Sequence, residues 1–188
     1  MSAELDGIRV LIVTSNTGVE RDELLLPRDQ LRALGAHVTH AAVEEIDVHT
    51  FRHDLIPSEP VRPDMALSDV DPGTFDVVVI PGGTVNADKL RTNGPARELV
   101  RSLIAADRPI AAICHGPWLL VDAEVVKGKT LTSYPSLRTD LINAGAMWVD
   151  EPVVRSDAEG WTLITSRKPD DLLDFVDAIA AEFSVRTS

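Results

Sequence analysis

Cys114 is the only cysteine in the chain, and His115 follows it directly. A thiol attacks as thiolate, and a neighbouring imidazole is one way to remove its proton. The surrounding residues, Pro109-Ile110-Ala111-Ala112-Ile113 and then Cys114-His115-Gly116-Pro117, read as a buried strand, a sharp turn and a helix start. That order resembles a nucleophile elbow, in which the turn exposes the reactive side chain above a sheet edge. Gly116 permits the tight turn because it lacks a Cβ, and Pro117 suits the first helical turn, where its missing N–H has no partner to lose. A thiol at that position meets unpaired N–H groups and a helix dipole. Its pKa is therefore expected below the free value of about 8.5. A lone cysteine ending an apolar run is, by itself, a small buried hydrophobe. The adjacent histidine and the turn residues favour the reactive reading here.

His115 is also the only histidine after His53, so a Cys…His…Glu order with a downstream base, as glutaminases require, has no candidate base. Glu20 and Glu23 lie near a helix start, where acidic residues are favoured by the dipole alone. His49 and His53 stand four apart, a spacing that on a helix could bind a metal. Their segment is loop-like, contains no Glu and offers no third ligand, so a solvated loop is the stronger reading and no metal is expected. Gly82-Gly83 ends a strand without a G-x-G-x-x-G or Walker pattern, which leaves nucleotide binding and any other cofactor unsupported. Trp118 and Trp148 read as core or pocket wall.

The elements that must position Cys114 follow from periodicity. Buried strands are expected at 8–13, 36–42, 75–80 and 109–113, with two later ones near Val153–Val154 and Trp161–Thr165. Helices are expected after Ser15-Asn16-Thr17-Gly18, carrying Leu24, Leu31 and Leu34 with Pro27 as a start or kink and Gly35 as the stop, from Gly94-Pro95 onward, after Cys114-His115-Gly116-Pro117, and near 136–144. A closing amphipathic helix carries Leu172, Val176, Ile179 and Phe183. Residues 47–75, with four prolines, read as loops with short excursion strands. Strands alternating with helices imply right-handed βαβ units: an α/β, doubly wound, mainly parallel sheet with helices on both faces. In such sheets sites form outside the carboxyl ends of the strands, which is where Cys114 falls. No repeat or long linker divides the 188 residues, so one domain spanning 1–188, with its core at about 8–183, is expected.

The formal net charge of −12 repels phosphate backbones, so no nucleic-acid partner is expected. No run approaches the ~18 apolar residues of a membrane span. The acidic start Met1-Ser2-Ala3-Glu4-Leu5-Asp6 lacks the regions of a signal peptide, and a single cysteine cannot close an intrachain disulfide. A cytoplasmic protein is the expectation.

Ala111–Pro117, together with Asn143-Ala144-Gly145-Ala146-Met147-Trp148-Val149-Asp150 and Thr165-Ser166-Arg167-Lys168-Pro169-Asp170-Asp171-Leu172, resembles the PfpI-type intracellular protease family of the ThiJ/PfpI superfamily. The resemblance runs from about residue 8 to residue 183. It implies a flavodoxin-like fold related to class I glutamine amidotransferases. It further implies Cys114 as nucleophile, His115 as adjacent base or orienting partner, and Glu20 as the carboxyl contacting the thiolate. The last is matched through Glu20-Arg21-Asp22-Glu23-Leu24 and its offset from Pro27. Backbone N–H groups of Gly83 and His115 would form the oxyanion hole. Some protease-type members take an acidic residue from a neighbouring subunit, and Asp88 is the equivalent here, so a homodimer or higher homo-oligomer is expected. The sugar-aldehyde-detoxifying branch has a His where this chain has Tyr134.

The implied activity is a Cys-dependent, stress-protective hydrolase whose nucleophile attacks an electrophilic carbonyl: a 2-oxoaldehyde or its early protein adduct (glyoxalase/deglycase-like), or a peptide through an acyl-enzyme. The alternatives are an intracellular cysteine peptidase proper, or a non-catalytic stress protein acting as chaperone or as an oxidation sensor through Cys114.

Overall fold

The structure is a computed structural model describing residues 4–184; the remaining termini of the expected 1–188 domain lie outside the described residues. In chain order the strands are β1 (Arg9–Thr14), β2 (Thr17–Glu20), β3 (His37–Ala42), β4 (His49–Arg52), β5 (Ile56–Pro57), β6 (Met65–Ala66), β7 (Val77–Ile80), β8 (Ile110–Ile113), β9 (Thr130–Leu131), β10 (Met147–Trp148), β11 (Val153–Ser156) and β12 (Leu163–Ser166). The α-helices are α1 (Arg21–Ala33), α2 (Thr84–Thr92), α3 (Gly94–Ala105), α4 (Pro117–Asp122), α5 (Arg138–Asn143) and α6 (Leu172–Ser184).

Seven strands form one sheet in the order β11-β12-β8-β7-β1-β3-β6. Every neighbouring pair is parallel except β11 with β12. Val77-Val78-Val79-Ile80 is buried along its whole length, as a strand covered on both faces must be. Its side chains alternate between two cores. Val78 and Ile80 join Leu11, Val13 and Ile110 against α2, α3 and α4 residues such as Leu90, Leu103 and Leu120. Val77 and Val79 join Val10, Ile12 and Ala111 against Leu24 and Leu31 of α1 and Phe175 and Ile179 of α6. This is the flavodoxin-like α/β sandwich expected from the sequence.

Three local differences matter for the site. Thr17–Glu20, where no strand is expected from the sequence, is strand β2, paired in parallel with β4, and β4 pairs with β5. His49–Arg52 is therefore one of the short excursion strands, and His53 lies beyond its end with φ of 54°, so the two histidines share no helix face. Residues 84–92, which the periodicity left unassigned, form α2 directly after Gly82-Gly83. Pro27 neither starts nor ends α1 but sits inside it, buried, where it cannot donate to the Glu23 carbonyl one turn earlier.

Candidate active site

The strand β8 ends at Ile113, and the next residue, Cys114, has φ of 61°. A left-handed conformation is unfavourable for a residue with a Cβ, and it marks the elbow as a held, strained turn. The Cys114 N–H donates to the Ser166 carbonyl at 3.0 Å, and its carbonyl accepts from Tyr134 N at 2.9 Å, so both sides of the turn are tied down. Gly116 itself has ordinary helical angles (φ −48°). It must be glycine for a different reason from the one expected: a Cβ there would stand 2.5 Å from the Ile80 carbonyl oxygen.

Cys114 Sγ lies 3.2 Å from His115 Nδ1. The backbone N–H groups of Gly83 and His115 also point at the sulfur. The His115 ring stacks on Tyr134 with centroids 4.8 Å apart and meets Trp118 edge-on at 5.4 Å. Trp118 is thus pocket wall, and Tyr134 covers the imidazole that the sequence placed beside the thiol. On the far side of the ring, Nε2 is 3.4 Å from Thr84 Oγ1 and 3.3 Å from Ser136 Oγ.

The carboxyl beside the thiol is Glu23, not Glu20. Glu23 Oε2 accepts from Gly82 N at 2.7 Å, and the group meets the Cys114 thiol; Oε1 is buried without a nitrogen or oxygen partner. Gly82 allows this approach, since a Cβ on it would be 2.6 Å from Glu23 Oε2 and 2.7 Å from Cys114 Cβ. Glu20 closes β2 and turns its carboxylate away from the sulfur, accepting from His53 N at 3.1 Å and Asp54 N at 3.3 Å. The reason is the helix boundary. Glu20 precedes α1, whereas Glu23 shares the buried stripe of Leu24, Pro27 and Leu31 that faces the sheet. That stripe, at 23, 24, 27 and 31, was the sequence signal for Glu23.

Burial dominates the electrostatics. It raises Glu23 to about 8, so this carboxyl keeps its proton at neutral pH. It also raises the Cys114 thiol, with the charge of Glu23 adding to the effect, against the lowering by the Gly83 and His115 N–H groups. The thiol is therefore not lowered by its place at a helix start; α4 spans only six residues, and the thiol is buried. With Glu23 protonated, its charge no longer opposes thiolate, and its hydroxyl is a donor to sulfur. His115 is lowered by burial and raised, less strongly, by the charge of Asp54. Glu20 is raised by burial, against the two N–H groups it accepts from.

The pocket over Cys114 has a volume of about 160 Å³ and is lined by Glu20, Glu23, His53, Asp54, Gly83, His115, Tyr134 and Pro169 as well as the cysteine. Asp88 lies elsewhere, exposed on the outer side of α2 and outside this lining. Three contributors escaped the sequence reading. Asn86, fully buried, donates to the Pro81 and Gly82 carbonyls and accepts from Ser15 N, locking the glycine turn to the end of β1. Asp54 and Thr84 reach His115 from a turn and a helix that only the tertiary fold brings together. Among the described residues no cluster of three or more metal-ligating side chains occurs, and no helix is long and apolar enough to cross a membrane.

A thiol on a strained strand-to-helix turn of a flavodoxin-like sheet, with an adjacent histidine and a buried carboxyl, defines a class of elbow-cysteine α/β proteins. Residues 8–182 match the DJ-1/PfpI family, and the chain belongs to that family. It is 37% identical over 166 residues to the protein named Deglycase PfpI of Pyrococcus furiosus, covering 88% of this chain and 93% of that one. It is 45% identical over 117 residues to "Putative cysteine protease YraA" of Bacillus subtilis, covering 62% and 66%. Among solved structures, Drosophila melanogaster DJ-1beta superposes with a TM-score of 0.83 at 34% identity, covering 94% of this chain and 90% of that one.

Proposed function

We propose that this chain is a PfpI-type hydrolase in which Cys114 attacks a small electrophilic carbonyl, a 2-oxoaldehyde or its early adduct on a protein amine. The observation that carries the reading is the Cys114 elbow, with Sγ 3.2 Å from His115 Nδ1 and facing the Gly83 and His115 N–H groups. His115 Nδ1 takes the thiol proton as the sulfur bonds to the carbonyl carbon. The carbonyl electrons move onto oxygen, and the resulting oxyanion is held by the Gly83 and His115 N–H groups. Glu23, protonated, donates to the sulfur as negative charge develops there. On a 2-oxoaldehyde the oxyanion is protonated to a hemithioacetal. The proton on its sulfur-bearing carbon is then lost, and a proton is regained at the neighbouring carbonyl carbon. Water cleaves the resulting 2-hydroxy thioester to the 2-hydroxy acid and the free thiol; an early adduct enters the same sequence once its hemiaminal releases the amine.

Pocket size supports a small substrate over a peptide. About 160 Å³ is below the roughly 300–1,000 Å³ of sites that enclose drug-sized ligands. The name of the Bacillus subtilis relative favours a second reading, peptide hydrolysis through an acyl-enzyme on the same thiol. Turnover of methylglyoxal and of a fluorogenic peptide, wild type against Cys114→Ser, tests both. Loss of aldehyde turnover in the serine variant is the expected result. Peptide turnover alone selects the second reading, and turnover unaffected by the substitution removes Cys114 from the chemistry. No turnover of either leaves the oxidation-sensor or chaperone reading.

A further inference from the structure

The ribbon β2-β4-β5 ends in a turn at residues 53–55, and both His53 and Asp54 adopt positive φ there, 54° and 62°. Two adjacent non-glycine residues in the left-handed region are held only if something outside the turn compensates. Glu20 does so, its carboxylate accepting from both of their N–H groups. The turn so fixed carries Asp54 to the start of α2. Asp54 Oδ1 accepts from Thr84 N at 2.8 Å, and Oδ2 accepts from Thr84 Oγ1 at 2.7 Å.

The hydrogen count then decides the state of His115. An ionised carboxylate only accepts, so the single hydroxyl proton of Thr84 is committed to Asp54. Thr84 Oγ1 has only lone pairs left to offer His115 Nε2, 3.4 Å away. For Thr84 to bond the ring at all, Nε2 is the nitrogen that carries hydrogen. A neutral imidazole has one N–H, so Nδ1 is left as a lone pair, and it is Nδ1 that faces Cys114 Sγ. Ser136, the other neighbour of Nε2, can donate or accept through its free hydroxyl and so fixes neither tautomer.

We propose that Asp54, acting through Thr84 of the same chain, is the positioning carboxylate of this site: it sets the Nε2–H tautomer of His115 and so makes Nδ1 the base that takes the Cys114 proton. Glu20 serves the same relay by holding the turn that carries Asp54. When the S–H bond breaks and the proton moves to Nδ1, His115 becomes a cation whose Nε2–H points along Thr84 toward the Asp54 charge. The direction in which Asp54 moves His115 agrees with that role. The relay rests on the reading of Cys114 as nucleophile, but its existence does not depend on which carbonyl is attacked.

Two measurements that need no substrate test it. Long-range proton–nitrogen NMR of the uniformly labelled full chain reports the His115 tautomer, and iodoacetamide alkylation at neutral pH reports thiolate formation. Thr84→Val removes the hydroxyl and keeps the backbone N–H that caps α2 on Asp54, so the fold is retained. It should lower the alkylation rate by roughly tenfold, a modest loss because the turn is solvent-exposed, and it should mix the tautomers. Thr84→Ser should restore both to within about twofold of wild type. Asp54→Asn and Glu20→Ala should resemble Thr84→Val. A wild-type tautomer and rate in Thr84→Val, or a serine variant as impaired as the valine one, overturns the relay. Loss of methylglyoxal turnover in Cys114→Ser alongside an unperturbed Thr84→Val would defeat the relay alone. An impaired Thr84→Val alongside full turnover by Cys114→Ser would defeat the functional reading alone.

Discussion

Replacing Glu23 by Gln should change how the stability of the fold depends on pH, in a direction set by burial. In the unfolded chain this carboxyl titrates near 4.5, and in the folded protein burial holds it at about 8. Between those values the folded chain keeps a proton that the unfolded chain has released. The folded state binds more protons there, so stability falls as pH rises. The gap corresponds to roughly 5 kcal/mol, fully present below pH 4.5 and lost by the time pH passes 8. A glutamine keeps an oxygen for Gly82 N and an N–H for the sulfur but has no proton to lose. Urea unfolding of wild type and Glu23→Gln should therefore diverge with pH, the variant gaining several kcal/mol relative to wild type from pH 5 to pH 9. Alkylation rates over the same range add a second check: without a carboxylate forming beside it, the Gln variant's thiol should titrate at lower pH than the wild-type thiol. A stability difference that stays constant across the range would falsify the assignment of a buried, protonated Glu23. Equal thiol titration curves would show that Glu23 does not touch Cys114.

His40 should behave in the opposite sense. Burial pushes it down to about 4 from 6.5, with Nδ1 unpartnered and Nε2 on Thr14 Oγ1 at 2.8 Å. Stability is present above pH 6.5 and lost as pH falls toward 4, by roughly 3 kcal/mol, and His40→Gln should remove that part of the acid sensitivity in urea titrations at pH 7.5 and 4.5. Assembly gives the other prediction. Light scattering at micromolar concentration should report a dimer or a multiple of it, and Asp88→Asn should reduce turnover if Asp88 reaches a neighbour's pocket; a monomer would leave Asp88 without a role.

The parts of the fold that were legible are those whose pattern is local. Val77–Ile80 and Ile110–Ile113 are short runs buried on both faces, and the apolar spacing of α3 and α6 follows the helical period. The elbow was legible because a strand, Cys114-His115, a glycine and a proline fall in consecutive positions. What escaped depends on distant partners. Thr17–Glu20 has a turn's composition and is a strand because β4 pairs with it. Helix α2 begins at a glycine with no side-chain cap of its own, and its first N–H is satisfied by Asp54, 30 residues back. The run Glu20-Arg21-Asp22-Glu23-Leu24 and its offset from Pro27 do not separate the two glutamates by the face each presents. Glu20 and Glu23 are both in that run, but only Glu23 lies on the face of α1 that the sheet covers.

The backbone at Cys114 carries a consequence for how variants of this protein should be judged. A left-handed residue with a Cβ costs about 1–2 kcal/mol, and a dry carboxyl at Glu23 adds to the burden that the surrounding packing sustains. Changes that relax the turn or replace the carboxyl by an apolar side chain can raise melting temperature and yield while abolishing reactivity. Selection for expression or heat resistance thus drives this chain toward well-behaved, inert descendants, so screens for improved variants need thiol reactivity scored alongside stability.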